Sequence, residues 1–378
     1  MSKGIRALLA AATAISASAH GQSGLEFSGY YKNLLTESQT VSPAGERYTL
    51  DLNRLRLELK GELAEPLALD LQYDNEVWFG SYLDTAQFGL QKRQTSPQYW
   101  DLERTYADTT SYYARHHLYR ASLTFTAGAT DLRIGRQRIA WGTGRFWSPL
   151  DILNPFSPIQ LEREERIGVD AVLIEQKLGA LSRLAAVYAP QHGSGDSSAA
   201  VYWHDNRAGV DYSFLAGRFA RERIAGLDLA TQLGEAGLRA ELTHARREDG
   251  THYERALLGI DYAFANTLTL GGELYFNGAG SADPRAYDFP SLLAGRIHSV
   301  ARRYAGAYAR YEVTALLEWA TYLVVNLDDR SRFFSPSLSY SVAPNVDLTL
   351  GAQWLQGRTA SEFAQLHDTY YAQVQWFF

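Results

Sequence analysis

The chain ends in TYYAQVQWFF, residues 369–378, and this stretch decides the fold. Counted back from the end, every second residue is aromatic or apolar: Phe378, Trp376, Val374, Ala372 and Tyr370. Such alternation is typical of a β-strand with two different faces. An exposed terminal strand is an aggregation hazard, whereas a barrel pairs its last strand with its first and leaves no edge. The ending therefore predicts a closed sheet in which the last strand pairs with residues 25–35.

The same alternation recurs along the chain. Between residues 55 and 63 leucines alternate with charged residues, and between 334 and 342 apolar residues alternate with serines. Segments of roughly ten residues span a bilayer as tilted strands. Counting them predicts an all-β fold, a transmembrane antiparallel up-and-down β-barrel of about 18 strands (16–18). The weakest pattern lies at 202–223, and a soluble β-sandwich or propeller remains the alternative on pattern alone.

The connections between these segments differ in length. Short turns, such as 344–345, are interleaved with long polar or aromatic loops at 80–115, 141–166 and 278–300. Short turns at one end and long loops at the other are the arrangement of an outer-membrane barrel. The three long loops are therefore predicted to be extracellular.

The first 19 residues have the three parts of a secretory signal peptide. Lys3 and Arg6 give a charged start, residues 7–15 are apolar, and 17–19 read Ala-Ser-Ala. This pattern predicts cleavage after Ala19, so that residues 20–378 form the barrel. An ordinary N-terminal helix is the alternative.

Composition excludes several classes of protein. The 378 residues contain no cysteine, which rules out disulfides, thiolate metal sites and a cysteine nucleophile. The net charge of −6, without a basic block, argues against nucleic-acid binding. The most apolar run, 315–325, is too short for a membrane helix and is interrupted by Glu318. His116 and His117 are adjacent in a strand and point to opposite faces, so we expect no metal site and no cofactor.

Eighteen strands would enclose a lumen that side chains cannot fill. Inward positions are expected to carry charges, and rings of charge set the selectivity of a pore. Acidic residues, including Asp74, face the basic ones. The alternative is that these charges hydrate the wall and pair across strands. The predicted selectivity residues on the early strands are Arg54, Arg56, Lys60, Arg120 and Arg133.

Residues 132–158 form the most distinctive local sequence. Gly142 and Gly144 permit turns, and three prolines exclude helix or sheet. An apolar yet structured loop is expected to fold into the barrel mouth as a constriction or plug, or else to pack as an outer lid on other loops. The side chains predicted near the path are Arg136, Arg138, Arg145 and Asp151.

Two features resemble known families. The terminal alternation of Phe378, Trp376, Val374 and Tyr370 resembles the recognition signal of Gram-negative outer-membrane barrels, which the barrel-assembly machinery reads. Residues 132–158 resemble porin-like outer-membrane barrels, and 132–138 are similar to a strand of the alginate-export porins. The resemblance implies an outer-membrane location with lipid and lipopolysaccharide as neighbours.

The leading functional hypothesis is a porin that passes small polar or anionic solutes through a water-filled lumen. An export or scaffold barrel working with periplasmic partners is the alternative. An outer-membrane hydrolase is a further alternative, but no segment assembles a nucleophile with a base, so we expect no enzyme. A homotrimer and a monomer are both compatible with the sequence.

Overall fold

The computed structural model describes residues 24–93, 98–162, 166, 168–193, 196–293 and 297–378. They form one antiparallel sheet that closes on itself. The predicted signal peptide, 1–19, lies outside the described residues.

In this described part of the chain, nineteen strands are joined by turns, loops and a few short helices. The strands are β1 (Leu25–Gln39), β2 (Arg47–Ala64), β3 (Leu67–Phe79), β4 (Glu103–Asp108), β5 (Tyr113–Ala127), β6 (Thr130–Gln137), β7 (Val169–Lys177), β8 (Arg183–Ala189), β9 (Ser198–Arg207), β10 (Val210–Phe219), β11 (Glu222–Leu233), β12 (Ala236–Arg247), β13 (His252–Ala263), β14 (Thr269–Asn277), β15 (Arg303–Thr314), β16 (Leu317–Asn326), β17 (Arg332–Ala343), β18 (Val346–Gln356) and β19 (Thr369–Phe377). The helices are Ser81–Asp84, Ala86–Gln91, Pro284–Ala286, Phe289–Leu293 and Phe363–Gln365.

The barrel closes between its first and last strands. β1 pairs with β19 from Tyr30↔Phe377 to Glu37↔Tyr370, which confirms the predicted closure. β4 is an addition to the wall, because it pairs with the first residues of β5 while β3 pairs with β5 directly. Nineteen strands less β4 leave 18 that run up and down, as predicted.

The long connections share one end of the barrel, here called the loop end. The opposite end, the turn end, has connections of at most five residues. Two strands, β9 and β10, form from the weakest sequence pattern. The first of them begins at Ser198.

Outward positions carry exposed apolar side chains, such as Leu123, Phe125, Leu258 and Ile260. Every second residue of a strand shares a face, so these positions form an apolar outer surface suited to lipid. No helix in the described part of the chain is long and apolar enough to cross a membrane.

Candidate channel and its constriction

Residues 138–162, which follow β6, fold inside the barrel and are called the inner loop. Glu241 on β12 holds this loop. Its Oε1 accepts hydrogen bonds from the backbone amides of Thr143 (2.6 Å) and Gly144 (2.7 Å), and its Oε2 from that of Leu150 (3.1 Å). A buried carboxylate needs several donors to offset its lost hydration, and here the loop backbone supplies them.

Glu273 on β14 is a second anchor. Its two oxygens accept hydrogen bonds from the amides of Arg145 (2.6 Å) and Phe146 (2.8 Å). The ring of Phe146 lies against Gly306, where a Cβ atom would come within 2.8 Å of it. The wall therefore has a place for this ring because residue 306 has no side chain.

The same side of the lumen is closed by apolar packing. The buried inward side chains of β7–β11 are mainly apolar, with the carboxyl group of Asp228 among them, whereas charged inward faces were expected. The indole ring of Trp141 stacks on Tyr202 with centroids 5.0 Å apart. The inner loop therefore seals this side much as a protein core does. The cluster includes Ile139, Trp141, Leu150, Ala171, Leu173, Ala185, Val187, Ala200, Tyr202, Leu215, Phe219 and Ile224.

The opposite side of the lumen holds a cavity of about 900 Å³. β1–β3, β5 and β16–β19 form its wall, and residues 160–162 of the inner loop border it. We call this side the open half. The other side, where the inner loop covers β7–β15, is called the filled half. The cations that line the cavity are Lys32, Arg56, Arg120 and Arg138, and its acidic residues are Glu58, Asp70, Glu162 and Glu318.

Two of the predicted selectivity residues are buried in ion pairs. Arg54 contacts Glu76 (2.8 Å) and binds Glu162 through both outer nitrogens. Arg56 binds both oxygens of Asp74 at 2.6 Å. These pairs match the alternative in which wall charges pair across strands.

Three others also have partners. Lys60 contacts Glu58 (2.5 Å), and Arg133 donates to the hydroxyl of Thr124 (3.1 Å). Arg136 pairs with Asp170 (2.9 Å). Arg136 lies two positions after the exposed Ile134, so it is on the outer face of the wall. There it also donates a hydrogen bond to the backbone oxygen of Trp100.

Arg120 and Arg138 differ from these, because no described carboxylate lies within ion-pair distance of either guanidinium. Asp70 and Asp151 interact with them only at longer range. Arg120 donates to the backbone oxygens of Tyr119 (3.0 Å) and Arg166. Arg138 is exposed, and its guanidinium makes no hydrogen bond or ion pair with any described residue. Arg145 is also exposed, and its amide binds Glu273.

Asp151 is buried within the inner loop. Arg166 donates to its Oδ2 (3.1 Å), and Asn154 donates its backbone amide to Oδ1 (3.3 Å). Burial raises the pKa of Asp151 to about 8, although Arg166 opposes that rise. The same burial lowers the pKa of Arg166.

The predicted assembly residues lie at the closing seam. Phe378 exchanges two backbone hydrogen bonds of 3.0 Å with Gly29. Its ring contacts Trp376 at a centroid distance of 5.2 Å. Val374 and Tyr370 are exposed on the outer face.

Among the described residues, one group has the ligand atoms that a cation requires. Asp74, Glu76 and His117 place ligand atoms within 4.8 Å of one another. Arg56 covers Asp74, while Arg54 and Arg115 bind Glu76. These guanidinium groups already occupy the carboxylates, which disfavours a metal ion there.

Sequence reasoning missed Glu162 and Lys32, and it did not foresee the anchoring role of Glu241 and Glu273. The partners of the two anchors are backbone amides about 100 or more positions away in the chain, and their positions depend on the folded loop. The only local indication of this anchoring role was an inward carboxylate among apolar neighbours in the sequence.

A closed barrel with a loop-narrowed aqueous lumen defines an outer-membrane channel for small solutes. The family described as Gram-negative porin matches residues 7–360, and the chain belongs to it. The chain is similar in fold to Pseudomonas aeruginosa OccK8 (OprE), at 10% identity and TM-score 0.59, covering 94% of this chain and 98% of that one. It is also similar to OccK9 (OpdG) of the same organism, at 13% identity and TM-score 0.59, covering 94% and 99%.

A third similar structure is Pseudomonas aeruginosa OpdK with vanillate, at 11% identity and TM-score 0.57, covering 94% of this chain and 98% of that one. No curated protein sequence matches the chain. These findings support the predicted outer-membrane location and the channel function. They do not support the alginate-export resemblance or the export and scaffold alternative.

Proposed function

We propose that the channel favours small anionic solutes and that Arg120 and Arg138 attract them. The observation that carries this proposal is a cavity lined by two guanidinium groups that have no described carboxylate within ion-pair distance. Most other cations of the wall are paired, so their fields are largely offset. An unpaired cation in a narrow polar cavity raises the local concentration of anions.

Carboxylates with an aromatic ring fit this cavity best. The rings of Tyr30, Tyr119, Tyr322 and Tyr371 line it together with neutral hydroxyl and amide groups. The structure of OpdK with vanillate, an aromatic carboxylate, supports the same class of solute. Benzoate is therefore a suitable probe.

The test is the reversal potential of the purified channel in a planar bilayer with a KCl gradient. The wild type is expected to be anion-selective, and Arg138→Gln is expected to lower the chloride-to-potassium permeability ratio by about twofold. Arg285→Gln removes an equal charge from an exposed pair with Asp283 and serves as the control. A cation-selective wild type, or equal selectivity in all three proteins, would contradict the proposal.

The same proposal includes the processing, orientation and assembly of the chain. Residues 1–19 are removed as a signal peptide, 20–378 form the mature barrel, and the end of the barrel from which loops 80–115, 141–166 and 278–300 start faces outside. The barrel-assembly machinery reads the strand that ends at Phe378, and the mature chain is a monomer or homotrimer without catalytic activity. Membership of a porin family supports these points. The mass of the purified protein tests the cleavage site.

A further inference from the structure

The carboxylate of Glu162 forms ion pairs with two cations of the barrel wall. Arg54 donates from Nη1 to Oε1 (2.7 Å) and from Nη2 to Oε2 (3.1 Å), and Lys32 donates to Oε1 (3.0 Å). A guanidinium that binds both oxygens of a carboxylate is the usual arrangement for recognising a free carboxylate. Glu162 comes from the inner loop, whereas the two cations are on β1 and β2.

We propose that Lys32 and Arg54 form a second carboxylate-binding site and that Glu162 occupies it in competition with solutes. Its ligands are small carboxylates, so this inference rests on the proposed preference for anions. Glu162 is then an internal competitor, tethered to the site that it occupies.

The location of the site supports this assignment. Lys32 and Glu162 border the same cavity as Arg120 and Arg138, so an anion held by the two arginines lies in the same aqueous space. The side chains of Lys32 and Arg54 are 7% and 8% exposed, whereas that of Glu162 is 17% exposed. The cations are therefore fixed in the wall, and the loop carboxylate is the more accessible member of the group.

Competition by a tethered group has a predictable size. A side chain held beside its site acts at an effective concentration in the millimolar range. It lowers the apparent affinity for a solute by the fraction of time that the site is vacant. Removing its charge is expected to strengthen solute binding on the order of tenfold.

The experiment measures the benzoate concentration that halves the chloride current through single channels in planar bilayers at neutral pH. Glu162→Gln is expected to lower this concentration about tenfold. Glu58→Gln removes the same charge from the same cavity, where Glu58 contacts Lys60, and is expected to change it by less than about twofold. Combining Glu162→Gln with Lys32→Met is expected to restore the wild-type value.

The outcomes distinguish a failure of the second carboxylate site from a failure of the proposed anion preference. Equal effects of Glu162→Gln and Glu58→Gln would reduce the result to general charge removal and overturn the second site. Tight block that persists in the double variant would also overturn it, because Lys32 would not be part of the site. A cation-selective wild type would instead contradict the proposed function itself. Heat-modifiable mobility in electrophoresis verifies that every variant is a folded barrel.

Discussion

The filled half and the open half of the lumen share one wall but differ in their inner faces. In the filled half, residues such as Leu173, Tyr202 and Leu215 face inward and pack against the inner loop. In the open half, arginines and carboxylates face inward, and the cavity remains between them. The side chains on the inner face of each strand therefore determine where a loop can pack and where the lumen stays filled with water.

Charged residues also have different roles in the two halves. Glu241 and Glu273 bind backbone amides and hold the inner loop in place. Arg54 and Arg56 bind carboxylates of neighbouring strands. Beside the apolar cluster the loop supplies amide donors to these carboxylates, and Glu273 also pairs with Arg239 (3.3 Å), whereas the polar wall supplies mainly cations.

The largest expected effect follows deletion of residues 143–157. This deletion removes most of the packing in the filled half, and the single-channel conductance is expected to rise about twofold or more because the lumen widens. Unchanged conductance in a correctly folded variant would show that the inner loop does not narrow the path.

Glu241→Ala is expected to have the next largest effect. It leaves the buried amides of Thr143, Gly144 and Leu150 without their acceptor, which lowers the free energy of unfolding by about 3 kcal/mol. Urea unfolding measures this loss. Glu254→Ala serves as the matched control, because Glu254 lies on the neighbouring strand in an exposed contact with His244. A loss no larger than that of the control would mean that the loop is held by apolar packing alone.

Gly306→Ala tests the fit of the loop against the wall. The added Cβ would lie 2.8–3.1 Å from ring atoms of Phe146, so we expect a loss of about 1–2 kcal/mol in the same measurement. Gly272→Ala is the control, because the nearest atom to its added Cβ would be the backbone oxygen of Gly306, at 3.4 Å. Equal stability of the two variants would show that Phe146 can repack freely.

The last prediction concerns how the free energy of unfolding depends on pH. The pKa of Asp151 is about 8 in the folded chain and ordinary when unfolded, so its protonated form stabilises the folded state at low pH. This contribution is lost as the pH rises through about 8, by at most about 1.4 kcal/mol per pH unit. Asp151→Asn should remove that dependence in urea unfolding between pH 6 and 9, and exposed Asp249→Asn should keep it. An unaltered profile in Asp151→Asn would assign the dependence to another group.

The weak pattern at 202–223 shows what limited sequence reasoning. In β9 and β10 the inward residues Tyr202, Leu215 and Phe219 are apolar, and the outward ones are apolar as well. Alternation disappears when both faces meet apolar surroundings, lipid outside and the inner loop inside.

The candidate site was only partly predictable for a related reason. Arg120 and Arg138 could be selected as cations at or near inward-facing positions, but so could Arg54 and Arg56. No local pattern shows which of these cations forms a close ion pair. Arg136 was chosen with them, yet it pairs with Asp170 on the outer side of the wall. The partners are distant in sequence and meet only when the sheet closes.

By itself the sequence determined the closed antiparallel barrel, its strand number and its final aromatic strand, because lipid and water on opposite sides of a strand impose alternation residue by residue. The tertiary structure alone determined which half of the lumen the inner loop fills, and which cations form no close ion pair with the described carboxylates. Those outcomes depend on contacts such as Gly144 with Glu241 and Glu162 with Arg54, which join segments about 100 positions apart and leave no local pattern.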